Sequence, residues 1–148
     1  MPETPTYPRD RDMLTEALGE AGAGRLPGHM GLEILEIGEG IARMRCEIGP
    51  HHLALNGYLH AGSVVALADT AAGYGCLGNL PEAGTGFTTM EMKSNFLGTT
   101  LEGAILAEAT LAHGGRTTQV WDVEVTAEHS DKTLALFRCT QMILYTRS

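Results

Sequence analysis

The segment AGSVVALADTAAGYGCLG (61–78) carries one charged side chain, Asp69, in a run otherwise dominated by apolar and small residues. An ionised carboxylate without partners in apolar surroundings costs several kcal/mol. Asp69 is therefore at a surface, held by an internal hydrogen bond to Thr70 or Tyr74, or a functional general base or nucleophile. Eight residues upstream, His60-Ala61-Gly62 stands where a helix would begin. First-turn N–H groups have no intrahelical partner and, aided by the helix dipole, can hold a developing negative charge. A third feature is HGGRTT (113–118). A glycine turn exposing N–H groups, with Arg116 and two hydroxyls, suits an anion such as phosphate; an ordinary hairpin turn with a solvated arginine is the plainer alternative.

Other patterns are weaker. His51, His52 and His60 have no carboxylate at ligand spacing and adjacent histidines point apart, so no metal site is expected. GYGCLG (73–78) matches GxGxxG, but a dinucleotide site needs those glycines after a strand and before a helix. At the end of a helix they are expected to admit close packing and then stop the helix. Ser63 lies near His60, yet no GxSxG elbow is present.

A chain of 148 residues with 43% hydrophobic composition predicts one domain, 1–148, with a substantial core. Ten Lys+Arg against 18 Asp+Glu give a formal charge of −8, which argues against nucleic acid and anionic membrane as partners. Cys46, Cys76 and Cys139 are odd in number and widely spaced, which fits a reducing compartment. The N-terminus lacks a basic stretch followed by an apolar one, and 61–78 is too rich in polar residues and glycine to span a membrane well. A soluble, cytoplasmic protein is expected.

The elements that must position these residues follow from periodicity. Residues 1–9 carry three prolines and predict a loose arm. Apolar residues at helical spacing predict a short helix from Asp10 to about Ala23, so that 1–28 forms an arm and helical extension. GLEILEIGEG and IARMRCEIG (31–49) predict a hairpin with an imperfect alternation, and residues 61–78 a helix buried on most sides. Four further strands are expected near 85–96, 102–113, 116–128 and 132–146, with turns at Gly114-Gly115 and Ser130-Asp131. The order predicts an α+β layer in which a four-strand antiparallel meander curls around the central helix.

GYLHAGSVVALADTAAGYG (57–75), the strand ending KSNFLGT (93–99) and the turn and strand HGGRTTQVWDVEV (113–125) together resemble a hotdog-fold acyl-CoA thioesterase. The similarity is greatest to the branch containing phenylacetyl-CoA and 4-hydroxybenzoyl-CoA thioesterases and covers about residues 30–146. The resemblance implies an antiparallel sheet wrapped around the helix near 61–78, and hydrolysis of an aromatic or medium-chain acyl-CoA to a carboxylic acid and coenzyme A, with no separate cofactor. It implies that the backbone N–H of Ala61 is the oxyanion donor. Ala61 stands where the family pattern His-Gly-Gly has its first glycine. Asp69 is then base or nucleophile, with His60, Gly62 and Asn56 as the positioning set.

Each keeps a plainer reading: His60 as a cap, Gly62 as room for close packing, Asn56 as the turn residue of an Asn-Gly pair. The family often has Asn or Gln where this chain has Ala54, so Asn56 stands as a substitute. Thr70, Thr88, Thr89 and Phe96 are candidates for the acyl side of the site, and Gly115, Arg116 and Thr117 for a coenzyme A phosphate. The family's Phe-Leu-Arg-Pro is Phe96-Leu97-Gly98-Thr99 here.

At 1.5 Å rise per residue, Ala61 and Asp69 are about 12 Å apart along one helix, too far to serve one carbonyl. Two helices running antiparallel across a two-fold axis resolve this. A homodimer with two composite sites is expected, paired further into a homotetramer as a dimer of dimers. Two rival functions fit the same fold: a hotdog enoyl-CoA hydratase or dehydratase, and a non-catalytic acyl-CoA-binding protein.

Overall fold

A computed structural model describes residues 5–146; the first four residues of the expected arm lie outside them. Helix α1 spans Arg11–Gly22, α2 Leu26–His29 and α3 Ala61–Gly78. The strands are β1 Leu32–Gly38, β2 Ile41–Glu47, β3 Gly84–Phe96, β4 Ala104–Gly114, β5 Thr118–Ala127 and β6 Thr133–Tyr145. All strand pairs are antiparallel in one sheet of order β1-β2-β4-β5-β6-β3. Helix α3 touches every one of these strands, the arrangement of a hotdog fold.

The expected four-strand meander is corrected. Only β4, β5 and β6 follow one another in space, and β3 lies beyond β6 at the sheet edge. The 97–103 connection runs along the end of the sheet. Leu97 and Gly98 N–H groups donate to Leu134 O, and Gly103 O accepts from Ile48 N–H beside β2. Side-chain periodicity fixes which face a residue presents but carries no record of which strand lies alongside.

Strand β5 alternates as expected, with Trp121, Val123 and Val125 buried and Glu124 exposed. The imperfect pattern of β1 is a bulge between Ile34 and Glu36 that leaves Leu35 exposed. In β2 the inward residues are Ala42, Met44 and Cys46, and Ile41 lies on the opposite phase from Met44 and Cys46.

Helix α1 is capped by the Asp10 carboxylate, which accepts from the N–H groups of Asp12 and Met13. It buries Leu14 and Leu18 against Ile37 and Leu77. The arm before it is pinned rather than loose at its end. Arg9 donates to the carbonyls of Leu80, Pro81 and Gly84, and Arg11 Nε to Gly78 O at 3.1 Å. Arg11 thereby places a cation on one of the last carbonyls of α3, which lack helical partners, while Arg9 holds the loop that follows.

Close packing by the 73–78 glycines is as expected. A Cβ on Gly75 would stand 2.8 Å from Trp121 Cη2, and one on Gly73 2.8 Å from Phe87 Cζ. Glycine does not stop the helix, however. The cap is Asn79, with a negative φ of −133°. Its Nδ2 donates to Gly75 O and Gly38 O, and its Oδ1 accepts from Gly40 N–H.

Candidate active site

The start of α3 is held by two histidines with different tasks. His52 is buried: its Nδ1 accepts from Gly49 N–H at 2.8 Å and its Nε2 lies 2.7 Å from Met30 O. These partners assign a neutral ring with the proton on Nε2. The His52 carbonyl in turn accepts from His60 N–H at 2.9 Å and Ser63 Oγ at 2.8 Å, tying loop to helix. Ser63 is thus a structural hydroxyl. Among the described residues no three His, Cys, Asp or Glu side chains gather as a metal-holding group.

His60 is the N-cap of α3, and its Nδ1 accepts from Gly62 N–H at 2.7 Å. A Cβ on Gly62 would come within 2.9 Å of that nitrogen, so the missing side chain makes room for the cap. Gly62 N–H is therefore occupied. Ala61 N–H makes no hydrogen bond among the described residues, and Ala61 is exposed. One free donor at the positive end of an 18-residue helix results.

Asp69 lies one and a half turns before the Gly75–Trp121 contact. Neither internal bond considered from the sequence forms. Thr70 Oγ1 donates instead to Ala66 O at 2.6 Å, and Asp69 Oδ1 is enclosed with no hydrogen-bond partner among the described residues. Burial pushes the Asp69 carboxyl above its ordinary value. A buried carboxylate oxygen left unpaired is costly, and perturbed groups of this kind concentrate at functional sites.

The helix face that carries Asp69 looks toward β3. Gly73, one turn further along the same face, rests on the Phe87 ring. Burial and, after it, the Asp69 charge push the Cys139 thiol up, so Asp69 lies close to β6, and Cys139 pairs with Met92 of β3, just past the bulge between Thr89 and Glu91. Thr89 faces this side, its hydroxyl donating to Gln141 Oε1 at 2.8 Å. Thr88 points to the opposite, outer face and is exposed, so the two threonines do not line one pocket. Met92 and Phe96 share the inner face with Thr89 but remain 43% and 50% exposed.

Asn56 sits in an exposed turn with Gly57 at φ +83°, and its Oδ1 accepts from Tyr58 N–H at 3.2 Å. That is the geometry of an Asn-Gly turn. The 114–117 turn lies at the other end of α3, because Gln119 Nε2 reaches Asn79 O at 2.7 Å. Gly115 N–H is spent on Thr118 O, which corrects the expectation of a free donor there. The Arg116 residue is exposed while its carbonyl accepts from the Tyr145 hydroxyl, and Thr117 O accepts from Ile143 N–H. Within one chain, then, the helix start, Asp69 and this turn are spread along the helix rather than gathered.

The sequence profile described as thioesterase superfamily matches residues 56–134, from the Asn-Gly turn through α3 to the start of β6. The chain belongs to this superfamily. Among relatives of this thioesterase, the 1,4-dihydroxy-2-naphthoyl-CoA hydrolase of Listeria monocytogenes is 33% identical over 111 residues, covering 75% of this chain and 89% of that protein. The acyl-coenzyme A thioesterase PaaI of Escherichia coli is 32% identical over 110 residues, covering 74% and 75%. A solved thioesterase structure from Haemophilus influenzae superposes with a TM-score of 0.80 at 28% identity, covering 88% of this chain and 90% of that one. The E. coli PaaI structure does so with 0.77 at 27%, covering 87% and 89%.

Gln141 escaped the sequence reading. It is fully buried on the inner face of β6 between Cys139 and Ile143, where the alternation calls for an apolar side chain. That mismatch was the available signal.

Proposed function

We propose that this thioesterase hydrolyses acyl-CoA thioesters, with an aromatic or medium-chain acyl group, to the free acid and coenzyme A. The observation that carries the reading is a pair of unsatisfied groups on α3: the free Ala61 N–H and the enclosed Asp69 oxygen. The thioester carbonyl oxygen accepts from Ala61 N–H as it gains charge, and one well-aimed donor contributes about 3 kcal/mol to such a transition state. Asp69 either draws a proton from the attacking water or attacks the carbonyl carbon itself, forming a mixed anhydride that water then hydrolyses to release the acid, restore the carboxylate and supply the proton that the thiolate takes up. In both cases the C–S bond breaks and the sulfur leaves as the thiol of coenzyme A. No cofactor is required.

The two groups meet across a homodimer. Strand β3 pairs with β6 on one side only, and its inner-face Met92 and Phe96 are uncovered apolar surface next to an open edge. A second copy joined there, its helix antiparallel, brings one helix start to the other chain's Asp69. It also brings that helix start toward the 114–117 turn, where Arg116 and Thr117 meet the coenzyme A phosphates. Two such dimers pair into a tetramer. The name of the Listeria relative supports a ring-bearing acyl group, as do the sulfur and aromatic side chains of Met92 and Phe96.

The test is thiol release from a panel of acyl-CoAs by the wild type and by Asp69→Asn. We expect hydrolysis by the wild type and a loss of at least about 100-fold in the variant. Undiminished hydrolysis in the variant would remove Asp69 from the reaction.

A further inference from the structure

A row of polar side chains crosses the otherwise apolar inner face of the sheet. Gln119, Gln141 and Thr89 are paired in register on β5, β6 and β3. Gln119 has a complete structural explanation: its Nε2 donates to Asn79 O and its Oε1 accepts from Trp121 Nε1–H at 2.8 Å. Gln141 has none of this kind. It is fully buried, and its amide nitrogen has only the Cys139 sulfur at 3.4 Å, a weak acceptor. Its one strong bond is the hydroxyl of Thr89. A buried amide with neither of its N–H donors on a strong acceptor is a net cost to the fold.

The direction of that bond matters. The Gln141 oxygen can only accept, so the Thr89 proton is committed to it and the lone pairs of Thr89 Oγ1 are left to accept. Thr89 is half-buried at the edge strand beside the bulge, and its partner Gln141 shares the inner face of β6 with Cys139, whose thiol feels the Asp69 charge. No hydrogen bond joins Thr89 to Asp69 directly.

We propose that Gln141 is a positioning residue for hydrolysis: by accepting the Thr89 proton it fixes Thr89 Oγ1 as an acceptor for the attacking water. One O–H of that water points to Asp69 and the other to Thr89, which aims an oxygen lone pair at the thioester carbon. Asp69 takes the first proton as the C–O bond forms. The inference rests on Asp69 acting as the general base of a thioesterase. Gln141 itself touches neither water nor substrate.

The experiment is a double-mutant cycle on steady-state thiol release. The substrate is whichever of phenylacetyl-, benzoyl- and hexanoyl-CoA the wild type turns over fastest. Gln141→Leu and Thr89→Val are each expected to lower kcat about tenfold with KM changed by less than about twofold. The double variant should fall no more than about twofold below either single one, because both remove the same acceptor. Thr89→Ser should restore kcat. Additive losses, or a Thr89→Val variant with full kcat, would overturn the proposal. Should Gln141→Leu fail to fold, the contrast between Thr89→Val and Thr89→Ser decides, since Thr89 lies at the edge and valine matches its shape. A wild type that hydrolyses none of the three overturns the thioesterase reading and this one with it. An active wild type with undiminished Thr89→Val overturns this one alone.

Discussion

Ala61 opens α3 and Asp69 follows eight residues later on the same helix, a separation of about 12 Å along the axis. No single carbonyl carbon lies within reach of both, so in the proposed reaction the two residues of one chain would serve different sites. Complementation between chains follows. Ala61→Pro removes the N–H while keeping the helix, because proline is favoured at the first helical position and His60 before it is already extended, at φ −67° and ψ 134°. Alone it should cost about 100- to 1,000-fold in kcat. Mixed and refolded with Asp69→Asn, it should regain about a quarter of wild-type activity, since half the dimers are mixed and each holds one intact site of two. Absence of any recovery would overturn the two-chain site.

Asp69→Asn should also change stability, with a definite pH dependence. Burial raises the folded-state pKa of Asp69 above its unfolded value. The folded chain then binds more protons than the unfolded chain in the window between the two values, so stability falls as pH rises through it. Below the ordinary carboxylate value of about 4 the penalty is absent. Asparagine has nothing to ionise. The variant should melt above the wild type at neutral pH, with the gap closing as pH falls toward the ordinary value. Thermal unfolding of both chains over that range checks it; a variant that melts lower at neutral pH would mean that the carboxylate is well satisfied.

Gly75 and Gly73 offer a comparison of two tight contacts. A Cβ at Gly75 meets two ring atoms of Trp121 at 2.8 Å and Ala42 Cβ at 3.3 Å, and Trp121 is fully buried with its Nε1 tied to Gln119. At Gly73 the obstacle is Phe87, only half-buried and free to tip. Gly75→Ala should therefore cost about 1–3 kcal/mol through overpacking, and Gly73→Ala clearly less. Urea unfolding midpoints of the two variants order them; the reverse order would show that the tryptophan ring yields.

Much of this was legible in the residues themselves. The bounds of α3, the phase of β5 and the hairpin turns follow from local periodicity and turn chemistry, both encoded within a few residues. The place of β3 at the far edge was not legible, because its neighbour β6 lies more than 40 residues along the chain at Thr89 and Gln141. Adjacent Thr88 and Thr89 were read as one pocket although a strand sends them to opposite faces. Asp69 stood out by type alone. Its lack of a partner, and the spending of Gly62 N–H on His60, depend on through-space geometry that spacing does not record.

The open edge of β3 yields the sharpest test of assembly. Met92 lies on the inner face opposite Cys139, 43% exposed in the single chain. An aspartate there is solvated in an isolated chain, so Met92→Asp should keep native secondary structure. In a dimer joined along β3 the same aspartate is enclosed, and two-fold symmetry places a second copy in the same interface. An unpaired buried charge costs about 3–5 kcal/mol, enough to weaken association by at least about a thousandfold. Sedimentation velocity should show a monomer, and thiol release should fall with it because each site then lacks the other chain's Ala61. A dimeric and fully active Met92→Asp would move the interface away from β3, and a monomer that still hydrolyses would end the composite site.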